Sequence, residues 1–254
     1  MDIVYFLMVM ISDIIGSFSG MGGSIIIKPL FSMMSNYSLE IVIFCSNLSV
    51  LTMCLSSLYM SYREKDLALN KTSVSLTIGS FLGGIIGSLA LDFLFATVKS
   101  VVKPMQITLI ILAIILAIDY QLRGQPIKNI WTSIGQYFGL GFICGSVSVI
   151  LGIGGGPINV WLLMLLAGIS LKKATAYSLL AVFASIVTRE IMSIPAAIHL
   201  HVPIHILIIF FIAAIFGGIG GILAKKYLKT SHYKVIYICT LIGAMIINFT
   251  NYFL

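Results

Sequence analysis

Residues 16–29 read GSFSGMGGSIIIKP, and residues 148–157 read SVILGIGGGP. Each breaks apolar sequence with a dense run of glycines and ends at a proline, Pro29 or Pro157. Glycine and proline are poor residues for a helix interior. The fold turns on whether each break kinks a crossing helix or forms the tip of a hairpin.

The surrounding sequence fixes the solvent. Of 254 residues, 59% are hydrophobic and 9% charged, so most of the chain cannot face water. Long apolar runs fall at residues 41–62, 72–96, 101–118, 131–151, 174–188, 203–224 and 235–254. Most approach the ~20 residues that cross ~30 Å of hydrocarbon. The expected class is an all-α polytopic membrane protein. The opening MDIVYFLMVMIS carries Asp2 where a signal peptide would be basic, and shows no small-residue cleavage pattern, so it reads as mature structure. Cys45, Cys54, Cys144 and Cys239 lie in apolar segments without CxxC spacing and read as packing residues, with no metal or cofactor implied. The formal net charge of +7 resides mostly in short loops, which points to membrane orientation and not to nucleic acid.

The chain reads as two diverged copies. A shift of 132 lays Gly20, Gly22, Gly23 and Ser24 onto Gly152, Gly154, Gly155 and Gly156, Ser38-Leu39 onto Ser170-Leu171, and Ser46 onto Ser178. A shift of 134 pairs Gly83, Gly84 and Gly87 with Gly217, Gly218 and Gly221, which fits one short insertion. The expected division is residues 1–120 and 131–254, joined by a polar linker at 121–130 within one transmembrane domain.

Basic residues choose between kink and hairpin. If each glycine run is a hairpin tip followed by three spans, the N-terminal side holds three cations, Lys99, Lys103 and Arg189, and the other side holds eleven. If each run only kinks one span, the split is six to eight and gives no orientation. The first count obeys the positive-inside rule. The expectation is two inverted-topology repeats, each a Gly-rich broken or re-entrant helix hairpin followed by three transmembrane helices, with both termini outside the cytoplasm of a cell membrane. Charge alone leaves open whether each hairpin is re-entrant or two full spans.

Irregular backbone survives at membrane depth only where protein shields it or it lines a polar cavity. A helix starting after such a bend aims its free N–H groups and positive dipole end at the loop, a geometry that binds anions. Gly20, Gly22, Gly23, Ser24, Gly152, Gly154, Gly155 and Gly156 are therefore candidate substrate-lining positions. Gly79, Gly83 and Gly87, with Ala213, Gly217 and Gly221, have a four-residue spacing that marks tight helix packing instead.

The next spans add candidates. Thr175, Ser178, Ser185 and Arg189 share one stripe, and Ser46, Ser49, Ser56 and Ser57 form a similar face beside Asn47; such stripes also serve to bond neighbouring helices. Arg189, about 22 Å along its span at ~1.5 Å per residue, offers a fork of donors suited to an oxyanion or to gating an outer vestibule. Glu190 diverges from it as an i+1 neighbour. Lys28 either tunes anion binding or snorkels to an interface. Asp13, three residues before Gly16, is a candidate carrier of a coupling proton or a local cap. His199 and His201 form an HxH pair without a nearby acidic or cysteine ligand, a weak metal signal. No catalytic constellation is present, so no enzyme is expected.

The GxGG(G/S) loop in each half, the proline after it, the Ser-Leu start of the next span and the later GGxxG segments resemble the sulfite exporter TauE/SafE family, also called the toluenesulfonate uptake permease family. The resemblance covers nearly the whole chain. It implies a polytopic carrier of sulfite, sulfonates or related organic anions, often proton-coupled. Ser24, Lys28 and Trp161, which stands where the first copy has Pro29, depart from that pattern. The function expected is secondary transport of small oxyanions by alternating access around a site lined by both loops, in contact with the lipid bilayer. The alternative is a non-transporting membrane assembly or interaction protein with the same fold.

Overall fold

The computed structural model describes residues 2–123, 133–152, 154–197 and 202–253, and every regular element among them is a helix. The first half holds α1 (Asp2–Ser19), α2 (Ser24–Met34), α3 (Leu39–Arg63) and α4 (Lys71–Arg123). The second holds α5 (Ile134–Leu151), α6 (Gly156–Ala167), α7 (Leu171–Ala197), α8 (Ile204–Tyr227) and α9 (Thr230–Phe253). Helix α4 bends at Val98, whose φ of −137° and ψ of 47° leave the helical region, so it supplies two arms, Lys71–Val98 and Pro104–Arg123. The sequence reading expects two spans with a break between them, and the non-helical Val98 separates two spans at that point. Seven helical segments are long and apolar enough to cross a membrane among the described residues. Helices α2 and α6, with 11 and 12 residues, fall short of the ~20 needed. The linker's Gln121, Leu122 and Arg123 finish α4, and residues 124–130 lie outside the described residues.

Two glycine seams organise the bundle. Gly79, Gly83 and Gly87 of α4 lie against Phe138, Phe142 and Ser146 of α5, so the helices run side by side in one direction. A Cβ on Gly87 would stand 2.6 Å from the Ser146 carbonyl oxygen, so this approach has no room for a side chain. Ser80 donates to Gly141 O at 3.0 Å and Ser146 to Gly83 O at 3.0 Å across the same seam. Interhelical bonds of this kind contribute about 0.6 kcal/mol each in a bilayer, where close packing carries most of the association. Gly217 and Gly221 of α8 meet Asp13, Ile14 and Ser17 of α1 in the second seam, again in parallel, and Ser17 donates to Gly218 O at 2.9 Å. The opposite faces of α4 and α8 expose Ile78, Ile86, Phe93, Ile208, Phe211 and Phe216, a surface suited to lipid tails.

Helix directions follow from contacts at both ends. Asn47 of α3 meets Glu190 near the end of α7, while the Tyr177 hydroxyl near the start of α7 reaches Ala68 O just after α3. These two central helices are antiparallel. Helix α8 follows α3: Ile206 and Phe210 pack with Val42 and Cys45, and Lys226 pairs with Glu64 at the far end. The first arm of α4 follows α7, since Asp92 pairs with Arg189. Thus α1 advances with α3, α5 advances with α7, and the two enter the bundle from opposite ends. Arg63, Lys65, Lys71, Lys172, Lys173, Lys225, Lys226 and Lys229 cluster at one end, hereafter the basic end. The α4 bend marks the other.

Candidate functional site

The chain reverses after α1, because the Tyr5 ring packs edge-on against Phe31 with centroids 5.3 Å apart, and Gly16 lies against the backbone of Gly22 and Gly23. It reverses again after α5, where Asn159 of α6 donates to the Ser148 hydroxyl at 2.9 Å. The two tips meet. Gly156 abuts the Met21 backbone, and a Cβ on Gly154 would lie 3.5 Å from Met21 O. Gly152, Gly154 and Gly155 all have positive φ, between 64° and 78°, as do Gly20 and Gly22 at 72° and 79°. Side chains tolerate that region poorly.

A cavity of about 270 Å³ lies beside this meeting point. Gly152 and Gly154 form part of its wall, and Ser24, Lys28, Asn47 and Arg189 supply polar groups foreseen from the sequence. The contributions of α3, α4, α7 and α9 come from the halves of those helices nearer the α4 bend, while α2 lines the cavity along its length from Ser24 to Ser32. Ile43 and Phe95, at 37% and 39% exposure, bring the cavity to the surface. Ser32, Gln106, Ser148 and Asn248 also line it and were not anticipated. Gln106 carried a usable signal, since it is an isolated amide ahead of an apolar run, where a polar residue merits a functional reading.

Lys28 neither snorkels outward nor stands free. Its ammonium donates to Gly152 O, the carbonyl at the C-cap of α5, where the helix dipole favours a cation. Gln106 donates to the neighbouring Ile150 O at 2.6 Å. An ammonium has three donors, so one bond to Gly152 leaves two for other acceptors. Glu190 and Arg189 are its charged neighbours. Arg189 pairs with Asp92 at 2.7 Å, while Glu190 accepts from Asn47 at 2.7 Å, so the adjacent acid and base face different partners.

Other candidates lie outside the cavity. Ser178 donates to Gly20 O at 2.7 Å and fastens the first loop to α7, and Ser46 turns back onto Val42 O of its own helix at 2.6 Å. Gly20, Gly22, Gly23, Gly155 and Gly156 are buried in the contact between loops and helices. Asp13 is fully buried beneath the first loop, with its carboxylate against Gly23. One oxygen accepts from Ser49 at 2.6 Å, and the other has no hydrogen-bond partner among the described residues. No group of three or more potential metal ligands occurs among the described residues, and His199 and His201 lie outside them.

The family model described as Sulfite exporter TauE/SafE matches residues 5–248. Neither the curated proteins nor the solved structures contain a match to the chain.

Proposed function

Because this chain belongs to the sulfite exporter TauE/SafE family, we propose that it is a secondary transporter of small oxyanions, with sulfite or organosulfonates as substrate. The observation that carries this reading is the cavity where two oppositely entering glycine loops meet, with Lys28 and Arg189 in its wall. A bare oxyanion leaving water needs charge and donors in return, and the ammonium, the guanidinium and the amides of Asn47 and Gln106 offer both. Pieces 1–120 and 131–254 act as inverted repeats that move against one another, opening the site to each side in turn. Arg189, near the mouth with Asp92, guides anions into the cavity, and Asp13 holds the coupling proton. The basic end lies in the cytoplasm, which leaves both termini outside a plasma or inner membrane. Catalysis has no part in this role.

Counterflow of radiolabelled sulfite and sulfonates in proteoliposomes tests the proposal, with saturable exchange expected. Absence of both saturable uptake and binding across a broad anion panel would replace the carrier by a membrane assembly protein. Topology is tested separately by a periplasm-active reporter fused after Leu254, which should be active. A cytoplasmic C-terminus would reverse the orientation.

A further inference from the structure

The cavity lining combines two chemically distinct groups of side chains. Among the polar groups, Ser24 and Lys28 stand one turn apart on α2, on the same face of that helix, and both line the cavity. The Ser24 side chain is 1% exposed, and its hydroxyl has no hydrogen-bond partner among the described residues. A buried hydroxyl without a partner loses the hydrogen bonds it would make in water, so this one is placed to serve a ligand. It also opens α2, at the positive end of the helix dipole.

A further part of the lining is apolar. Leu91, Ile107, Ile110 and Val149 line the cavity, and each is less than a tenth exposed, so they belong to the protein interior and not to its lipid-facing surface. The volume of about 270 Å³ far exceeds the ~10–15 Å³ that one water requires and approaches the ~300 Å³ at which organic-ligand pockets begin. An inorganic anion held at Ser24 and Lys28 would leave this wall against water.

We propose that this chain selects an amphiphilic anion, with its oxyanion headgroup between Ser24 and Lys28 and its apolar body against Leu91, Ile107, Ile110 and Val149. This rests on the carrier reading and narrows its substrate class to anions bearing a hydrocarbon portion, in preference to sulfite itself. Ser24 and Lys28 fix the headgroup; the isoleucines set the preference for the body.

The test is direct binding to the full-length protein in a nonionic detergent, using straight-chain alkanesulfonates from methane- to hexanesulfonate, with sulfite and hexanoate alongside. Affinity should rise roughly fourfold per methylene until the wall is covered, with sulfite the weakest. Ser24→Ala should weaken the whole series on the order of tenfold. Ile110→Ala should weaken hexanesulfonate at least about threefold more than methanesulfonate. Hexanoate binding as well as hexanesulfonate would support the inference with any monoanionic oxyanion as headgroup. A flat series, with sulfite as tight as hexanesulfonate, overturns the inference and leaves the carrier intact. A chain-length trend unchanged by both Ser24→Ala and Lys28→Met is partitioning outside the site and overturns it as well. If no anion binds at all, the carrier reading falls too.

Discussion

The two glycine loops have nearly the same sequence and unlike surroundings. The loop at residues 20–23 is enclosed: a Cβ on Gly20 would stand 2.7 Å from the Thr175 Cα, Ser178 holds Gly20 O, and Met21 is fully buried. On its basic-end side, the Tyr233 hydroxyl donates to Phe18 O at 2.8 Å and lies 3.1 Å from the Thr175 hydroxyl. Ion pairs from Lys225 to Asp66 at 3.0 Å and Lys226 to Glu64 at 3.1 Å fasten that end further. The loop at 152–155 instead turns Gly152 and Gly154 to the cavity. One sequence device thus serves as a packed seal in one place and as a cavity wall in the other. In the proposed carrier, that division would leave the site open to one side only.

The strongest way to break the comparison is to fill the loops. Gly156 lies against the Met21 backbone, so Gly156→Leu must push the two tips apart, and folded yield should fall with activity. Gly22→Leu and Gly154→Leu place a side chain at φ of 79° and 78°, a strain of about 1–2 kcal/mol each that leaves the outer bundle intact. Gly154→Leu should abolish anion binding, and Gly22→Leu, outside the cavity, should weaken it less, while both proteins still extract as integral membrane proteins. Full binding by inserted Gly154→Leu would remove the second loop from the site.

A smaller change addresses what lies beneath each loop. The shift that aligns the loops puts Gly145 opposite Asp13. Gly145 is pressed against α4, where a Cβ would stand 2.7 Å from the Ser80 Cα, so a carboxylate fits only beneath the first loop. Asp13→Asn keeps an acceptor for Ser49 and removes the charge. Anion exchange should persist within about threefold, since exchange needs no net proton movement, whereas accumulation driven by a proton gradient should fall on the order of tenfold or more. If both survive, Asp13 is a structural cap. If both vanish, it supports the loop and not the coupling.

The sequence discloses the seams and hides the partners. Gly79, Gly83 and Gly87 announce a packed face by spacing alone, and only the structure shows that this face meets α5. The Ser-Leu pairs mark the starts of α3 and α7 at Leu39 and Leu171. Ser178 was visible as a member of a polar stripe, but its acceptor, Gly20 O, lies 158 residues away and carries no side-chain signal. Arg189 was visible as a cation in a span, yet its partner Asp92 comes from another helix. Ser32, Gln106, Ser148 and Asn248 come from four different helices and follow no common spacing. Local periodicity predicts which face of a helix is special, whereas tertiary packing decides which faces converge.

The seal itself can be weakened gently. Tyr233→Phe removes a buried hydroxyl and leaves the ring against Phe18, 4.7 Å between centroids. The lost bond should cost about 1 kcal/mol, read as reduced thermal stability in detergent. The cavity-lining counterpart Ser148→Ala, which frees one Asn159 donor, should cost a similar amount of stability but also alter anion affinity. Equal effects of both variants on affinity would mean that the first loop is as close to the ligand as the second.

The smallest expected effect lies at the mouth. The Arg189 and Asp92 side chains are 26% and 52% exposed, so their 2.7 Å pair is solvent-screened and contributes at most about 1 kcal/mol to stability. Its electrostatic role is larger than its structural one, because Asp92 cancels the charge that Arg189 presents to the cavity. Asp92→Asn keeps the shape and removes that cancellation. Anion affinity should rise about twofold to threefold at low ionic strength, and the gain should disappear near 1 M salt, where screening acts within about 3 Å. Lys28, bonded to Gly152 deeper in the cavity, should retain its contribution at that salt concentration. If Asp92→Asn lowers affinity at every salt concentration, the carboxylate serves to aim the guanidinium at the anion, and the mouth belongs to the binding site as fully as the loop does.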